Sequence, residues 1–333
     1  MSVSQESRKF TFLEVCSGAG GLSQGFINQG FNPVLLNEID PVCCETLRLN
    51  HPGVEISNIS MEDLDINQYV GDKVDVLMGG VPCQSFSQAG NRKGLDDTRG
   101  NLLLCFIKMV SVIQPKVWLI ENVKGLLTHN GGATLKYILQ QIESLGRYRV
   151  SYRVLNANDY GVPQKRERIF LVGLRDDLTS NYEFPVPHSY KPLLGDVLID
   201  CPESEGHRYN PRLERIMRQV PSGGCWVDLP EEEQKAYLGN SYYSGGGRRG
   251  IARRLSLDAP SLTLLTTPSQ KQTERCHPTE TRPLQILEYA RIQTFPDSYQ
   301  FSGSLTQRYR QIGNAVPVKL AQAMAESILR VLQ

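Results

Sequence analysis

Several things are missing from this sequence, and each absence narrows what it can be. No apolar run approaches the ~20 residues that a helix needs to cross a bilayer, so no membrane span is expected. The first residues, Met1 to Lys9, are polar and contain no signal-peptide core. Eight cysteines occur, but there is no CxxC pair and no Cys/His spacing of a zinc site; only Cys43 and Cys44 are neighbours. That reads as reduced thiols in a cytoplasmic protein with no bound metal. Internal repeats are lacking, and so is any overall excess of charge, the net being +1. The glycine-rich turn at 18–21 lacks the third glycine of GxGxxG, which disfavours a nicotinamide dehydrogenase.

The charge that is present is unevenly spread. Residues 1–207 carry a net −5, residues 208–282 a net +4 and residues 283–333 a net +2. Positive charge in the last third is expected if that part meets a polyanion, although arginines scattered over a solvated face would give the same balance. Strand-like apolar runs recur at 10–15, 33–36, 54–56, 74–78, 116–120, 150–155 and 168–173. Helical patterns lie between them at about 21–29, 41–49, 101–113 and 132–145. This alternation predicts an α/β fold with a doubly wound, mostly parallel sheet.

Near 185 the pattern changes. Pro185, Pro187 and Pro192 mark a linker, and periodicity is poor from 195 to 281. Trp226, Tyr237, Tyr242, Tyr243 and the run from Leu262 to Thr267 can supply a small core. The segment therefore reads as a second, smaller, irregular β-rich domain. An amphipathic helix from Pro317 to Leu332 can return to the first domain. The expected division is 1–188 plus 307–333 for catalysis and cofactor binding, and 189–306 for target recognition and a hinge.

Chemistry-bearing residues gather at one edge of the expected sheet. The first strand runs into Ser17-Gly18-Ala19-Gly20-Gly21-Leu22, a turn suited to a cofactor whose polar groups lie against backbone N–H groups. Glu38, about twenty positions on, is placed to bind ribose hydroxyls. The strand at 74–78 leads into Gly79-Gly80-Val81-Pro82-Cys83-Gln84-Ser85-Phe86-Ser87. Glu121 ends the next strand, and Arg166 and Arg168 open the last. Read singly, Cys83 fits a buried structural thiol, Glu121 a capping carboxylate and the arginines a solvated basic turn. Together they suit a pyrimidine: a thiolate attacks C6, a neutral carboxyl protonates N3, and C5 becomes an enamine carbon able to take an electrophile. Arginine suits an exocyclic carbonyl or a phosphate.

With these residues in place, the chain resembles the cytosine-C5 DNA methyltransferases of the short bacterial modification-enzyme type, nearly end to end. Ser17 to Leu22 is similar to the family's cofactor turn, Pro82-Cys83-Gln84 to its nucleophile motif and Glu121-Asn122-Val123 to its acid motif. Gln164-Lys165-Arg166-Glu167-Arg168 resembles its QxRxR motif. Arg282 to Pro296 and Gln311-Ile312-Gly313-Asn314-Ala315-Val316-Pro317 resemble its last two. The resemblance implies S-adenosyl-L-methionine as methyl donor, Cys83 as nucleophile, Glu121 on N3 and the amino group, and Arg168 on O2. Arg166 and Arg99 would contact phosphate or support a closed loop. Glu38, Ile39, Asn58, Ile59, Pro82, Asn314 and Val316 would complete the cofactor pocket with the turn. Double-stranded DNA would be the partner, with the target cytosine flipped out of the helix. Gln84 and Ser87 would lie on the DNA side. Arg248, Arg249, Arg253, Arg254, Thr263, Thr266 and Thr267 are the candidates for DNA contact in the recognition segment.

Two positions depart from the family pattern: Cys16 stands where a phenylalanine is usual, and Asn58 where an aspartate is common. The expected protein is a monomeric modification enzyme of a restriction-modification system, working beside an endonuclease without a stable complex. The tRNA-methylating branch of the family and an inactive nucleic-acid-binding homologue are the alternatives.

Overall fold

A computed structural model describes residues 9–82, 98–243, 250–270 and 273–333, with the side chains of 98–101 left out. In chain order its strands and α-helices are β1 (Thr11–Val15), α1 (Gly21–Asn28), β2 (Asn32–Asn37), α2 (Pro41–Asn50), β3 (Ile56–Ser57), β4 (Val76–Gly79), α3 (Thr98–Ile113) and β5 (Val117–Val123). There follow α4 (Ala133–Glu143), β6 (Tyr148–Asn156), β7 (Gln164–Lys165), β8 (Glu167–Arg175), α5 (Gly195–Leu198), α6 (Pro211–Gln219) and α7 (Glu231–Leu238). The chain ends with β9 (Ser261–Leu262), α8 (Ile286–Ile292), α9 (Leu305–Asn314) and α10 (Val318–Leu332).

The chain forms two compact units. The first comprises residues 1–156, 167–187 and 318–333, and the second residues 157–166 and 188–317. The linker expected near 185 falls at the division after Pro187. The second unit also takes the short segment 157–166 and runs past the expected end at 306 to Pro317.

In the first unit seven strands lie in the order β3-β2-β1-β4-β5-β8-β6. β1 to β5 pair in parallel, and β8 runs antiparallel to both of its neighbours. Successive side chains alternate between the two faces. Leu13 and Val15 join Trp118 and Ile120 in a core shared with Phe106 and Val110 of α3 and Ile138 of α4. On the opposite face Phe12 meets Phe26 of α1, ring centroids 5.8 Å apart. Helix α10 packs on α1 so closely that a Cβ at Gly25 would lie 2.6 Å from the Gln322 nitrogen. Helix α2 starts where the sequence dictates: Asp40 caps it by accepting from Val42 N at 3.0 Å, and Pro41 fills the first helical position.

The second unit is irregular, but among the described residues it is not β-rich. Among the described residues its one sheet pairs the two-residue strands β7 and β9, and isolated bridges link Cys276 to Arg254 and to Pro283. Its regular structure is helical. The core consists of Ile216, Met217, Val220, Leu229, Leu238, Ile251 and Cys276, with Trp226, Tyr237 and Tyr242 packed against it. Tyr243 is 75% exposed and stays outside. Backbone groups here pair across irregular loops, as Arg254 N does with the Gly224 carbonyl and Cys276 N with that of Arg253, and also with buried side chains, which is why strand periodicity is weak. Arg254, for example, donates to four carbonyls, those of Met217, Val220, His277 and Glu280.

Candidate active site

The site of the first unit follows from the register of its parallel strands. Val15 lies opposite both Asn37 and Gly79, and Gly79 opposite Ile120. The carboxyl ends of β1, β2 and β4 are therefore level, β5 runs on past Ile120 to Val123, and the residues at these ends share one edge, where open α/β sheets bind ligands. β8 enters the same edge from the other direction, pairing Arg168 with Val123.

The turn after β1 is built from positive φ angles, 53° at Cys16, 55° at Gly18 and 79° at Gly20. Ser17, Ala19, Gly20, Gly21 and Leu22 are buried, so the turn offers a ligand mainly its backbone. The Ser17 hydroxyl is directed to the carbonyls of Glu14 and Asn37. Glu38 Oε2 accepts from Gly18 N at 2.8 Å and Oε1 from Asp40 N at 2.9 Å. These two bonds fix the carboxylate plane and leave each oxygen able to accept again, the arrangement a vicinal diol requires. Ile39 beside it is 67% exposed, an aliphatic surface open to a flat ring. Asn58 Nδ2 donates to the carbonyls of Glu38 and Ile39 at 3.1 and 2.9 Å. Carbonyls accept only from the NH2 end, so the amide oxygen points away from them, and it can accept from an exocyclic amine as an aspartate would. Buried Asn37, not singled out from the sequence, donates to the carbonyls of Ser57 and Ile59 and so holds this loop. Ile59 is 44% exposed. Cys16 packs its sulfur 3.8 Å from that of Met61, and burial pushes its thiol up to about 12, so it stays neutral.

At the end of β5, Glu121 Oε1 lies 2.9 Å from Arg168 Nε, with both side chains largely buried. Arg168 Nη1 donates to the Glu167 carbonyl at 2.8 Å. A guanidinium carries five donors, so capacity remains toward a base carbonyl. Gly80 lies between this pair and the turn after β1: a Cβ there would be 3.5 Å from Glu121 Oε2 and 3.9 Å from the Cys16 carbonyl. Asn122 Nδ2 donates to the Val81 carbonyl at 2.7 Å, tying the segment before Pro82 to β5. Its role was not assigned from the sequence, although it stands inside the acid motif. Pro82 is exposed at the start of the nucleophile loop. Cys83, Gln84 and Ser87 lie outside the described residues, as do Arg248 and Arg249. Arg99 lies in α3, its side chain outside the description.

In the second unit the structure corrects two expectations. Arg254 is 5% exposed, and its donors are taken by the four carbonyls and by Thr281 Oγ1 at 3.1 Å. It braces the unit's interior, and a DNA contact does not fit it. Arg166 is 1% exposed and donates to the carbonyls of Leu264 and Asn314, both at 3.3 Å, so a phosphate contact does not fit it. Arg253 is half-buried and bonds the Gly223 carbonyl. Thr263 Oγ1 donates to the Lys165 carbonyl, Thr266 is exposed and Thr267 half-buried. Asn314 is exposed and Val316 buried, both in this unit.

The comparisons with known proteins agree with the geometry. The family of C-5 cytosine-specific DNA methylases matches residues 10–330. The type II methyltransferase M.Eco47II of Escherichia coli is 49% identical over 97% of this chain and 79% of its own length. M.Sau96I of Staphylococcus aureus is 46% identical over 98% of this chain and 77% of its own. Among solved structures, an E. coli prophage protein assigned as a DNA modification methyltransferase superposes with a TM-score of 0.73 at 24% identity, covering 97% of this chain and 99% of that one. With a family match over almost its whole length and relatives near half identical, the chain belongs to the C-5 cytosine-specific DNA methylase family.

Proposed function

We propose that this enzyme methylates C5 of a flipped-out cytosine through a covalent adduct between Cys83 and C6, with Glu121 and Arg168 holding the base. As a member of its family it is a DNA cytosine-C5 methyltransferase that uses S-adenosyl-L-methionine. The observation that carries the reading is the Glu121–Arg168 pair at the carboxyl edge of the sheet, next to the strand that leads into Pro82. Glu121 gives a proton to N3 as Cys83 adds to C6, and C5 becomes nucleophilic. Arg168 then faces the developing charge at O2. Loss of the C5 proton and of Cys83, with return of the N3 proton to Glu121, restores the neutral aromatic ring.

The chain's residues fit the cofactor. Glu38 takes the ribose hydroxyls, Ile39 packs on the adenine and the Asn58 oxygen meets its amino group. When bound, S-adenosyl-L-methionine supplies an electrophilic methyl group. Asn314 and Val316 are read as completing that pocket. The segment 189–306 chooses the DNA site, with Arg253, Thr263, Thr266 and Thr267 among the residues that meet it. The names of the relatives, type II methyltransferases, support a modification enzyme of a restriction-modification system. That it works as a monomer in the cytoplasm, beside an endonuclease that need not bind it, is part of the proposal. Among the described residues no helix is long and apolar enough to cross a membrane.

Bisulfite sequencing of DNA from cells expressing the chain tests the reading directly. Wild type should protect one cytosine position in every copy of a short site, and Cys83→Ser should protect none, a serine hydroxyl being almost wholly protonated near neutral pH. Methylation by Cys83→Ser at the wild-type rate would overturn the covalent mechanism.

A further inference from the structure

Inside the second unit a chain of buried amides reaches the segment that carries Thr266 and Thr267. Gln164 and Gln293 are both 0% exposed. Leu264 N donates to Gln164 Oε1 at 2.9 Å, and Gln164 Nε2 donates to Gln293 Oε1 at 2.9 Å. Gln293 Nε2 then donates to the carbonyls of Ile312 and Ala315 at 2.6 and 3.1 Å. Since those carbonyls accept only from an NH2 group, the orientation of Gln293 is fixed, and through it that of Gln164.

The backbone of Leu264 is thus held at both of its polar groups by side chains, its N–H by Gln164 and its carbonyl by Arg166. These bonds continue the short ladder in which Gln164 pairs with Ser261 and Lys165 with Leu262. One residue on, the Leu265 carbonyl passes so close over Gly313 that a Cβ there would land on it. Exposed Thr266 follows at once.

We propose that Gln164 and Gln293 are positioning residues for DNA-site selection. They set where Leu264 to Thr267 lies in its unit, and hence where the threonines can meet a base edge. The inference rests on the reading of this segment as part of the DNA-recognition surface. A buried amide chain in which each amide oxygen and nitrogen is bonded gives a loop one position rather than several, which discrimination between similar base pairs requires.

The test compares full-length wild type with Gln164→Met, which breaks the link to Leu264 and leaves the Gln293 donors on α9 and the turn after it. kcat and KM are measured on a duplex carrying the site that wild type methylates and on duplexes changed at one base pair. Gln164→Met should lower the discrimination ratio about tenfold and raise KM for DNA, with kcat within about threefold and S-adenosyl-L-methionine affinity within about twofold. A fall in kcat with KM and discrimination unchanged would show a merely structural role and overturn the proposal.

Thr266→Val and Thr267→Val are run alongside. If they lower discrimination and Gln164→Met does not, the positioning role fails alone; if none of the three changes it, the recognition reading fails and takes the proposal with it. Gln164→Glu keeps the test decisive should Gln164→Met not fold. Its neutral carboxyl can reproduce both bonds, so discrimination should match wild type near about pH 6 and fall toward about pH 9 as the acid ionises. A ratio as flat with pH as that of wild type would overturn the proposal.

Discussion

The two units hold their loops in place by different means. In the first, position comes from backbone register: the parallel strands β1, β2 and β4 end level, and the turn after β1, Glu38, Gly80 and Glu121 are delivered to one edge by the ladder itself. In the second, irregular backbone bonds are supplemented by buried polar side chains: Arg254 on four carbonyls, Arg166 on two, and the Gln164–Gln293 pair. A ladder tolerates exchange of side chains, because its bonds belong to the backbone. A side-chain brace does not. The comparison teaches that an irregular segment can commit arginines such as Arg254 and Arg275 to its own interior, and that a count of basic residues overstates the surface left for DNA.

Four substitutions test this contrast, from the largest expected effect to the smallest. Glu121→Gln keeps the shape at the catalytic edge but removes the transferable proton, and should cost on the order of 10²–10⁴-fold in turnover with DNA binding retained. Single-turnover rates at the wild-type level would show that Glu121 is not the acid. Arg254→Met should leave buried carbonyls without a donor and lower unfolding free energy by about 2–4 kcal/mol, without flattening the salt dependence of DNA binding. A stable variant with a flatter salt slope would return Arg254 to the DNA surface. Glu38→Ala should weaken S-adenosyl-L-methionine binding by about 1.5–3 kcal/mol in calorimetry; equal affinity would remove Glu38 from the pocket.

The fourth change matters least near neutrality. Glu14 on β1 is buried, its carboxylate accepts from the Ser23 hydroxyl, and burial raises its pKa from 4.5 to about 8. A raised folded-state pKa means that its contribution to stability is complete below 4.5 and is lost as pH rises through about 8. Thermal melting of wild type should therefore decline toward alkaline pH more steeply than that of Glu14→Gln. Parallel curves would mean that Glu14 does not hold its proton.

The same contrast explains what the sequence disclosed. β1, β4 and β5 were legible because apolar runs bounded by glycine or by a carboxylate mark buried parallel strands. Glu38, Glu121 and Arg168 could be placed at the sheet edge because motifs sit where such strands end, whereas Cys83, expected beside them, lies outside the described residues. The phosphate alternative for Arg166 and the DNA contact for Arg254 do not fit their burial, because an arginine that braces carbonyls has the same letter as one that faces phosphate; only burial separates them. Asn37, Asn122, Gln164 and Gln293 went unassigned because their partners are backbone groups or buried amides, up to 129 positions away in the Gln164–Gln293 pair, and nothing local announces them. The β-rich expectation failed for a related reason, since threonine and leucine alternation at 262–267 suits a strand but finds side chains to pair with instead.

The seating of α10 on α1 at Gly25 bears on how the protein is made. The helix beside the cofactor turn is covered by residues 318–332, which leave the ribosome only after the whole of the second unit. At roughly 5–20 residues per second, the apolar face of α1 waits many seconds for its cover. A nascent chain therefore carries an open sheet while the second unit is being synthesised, and its first unit closes only when translation has reached α10.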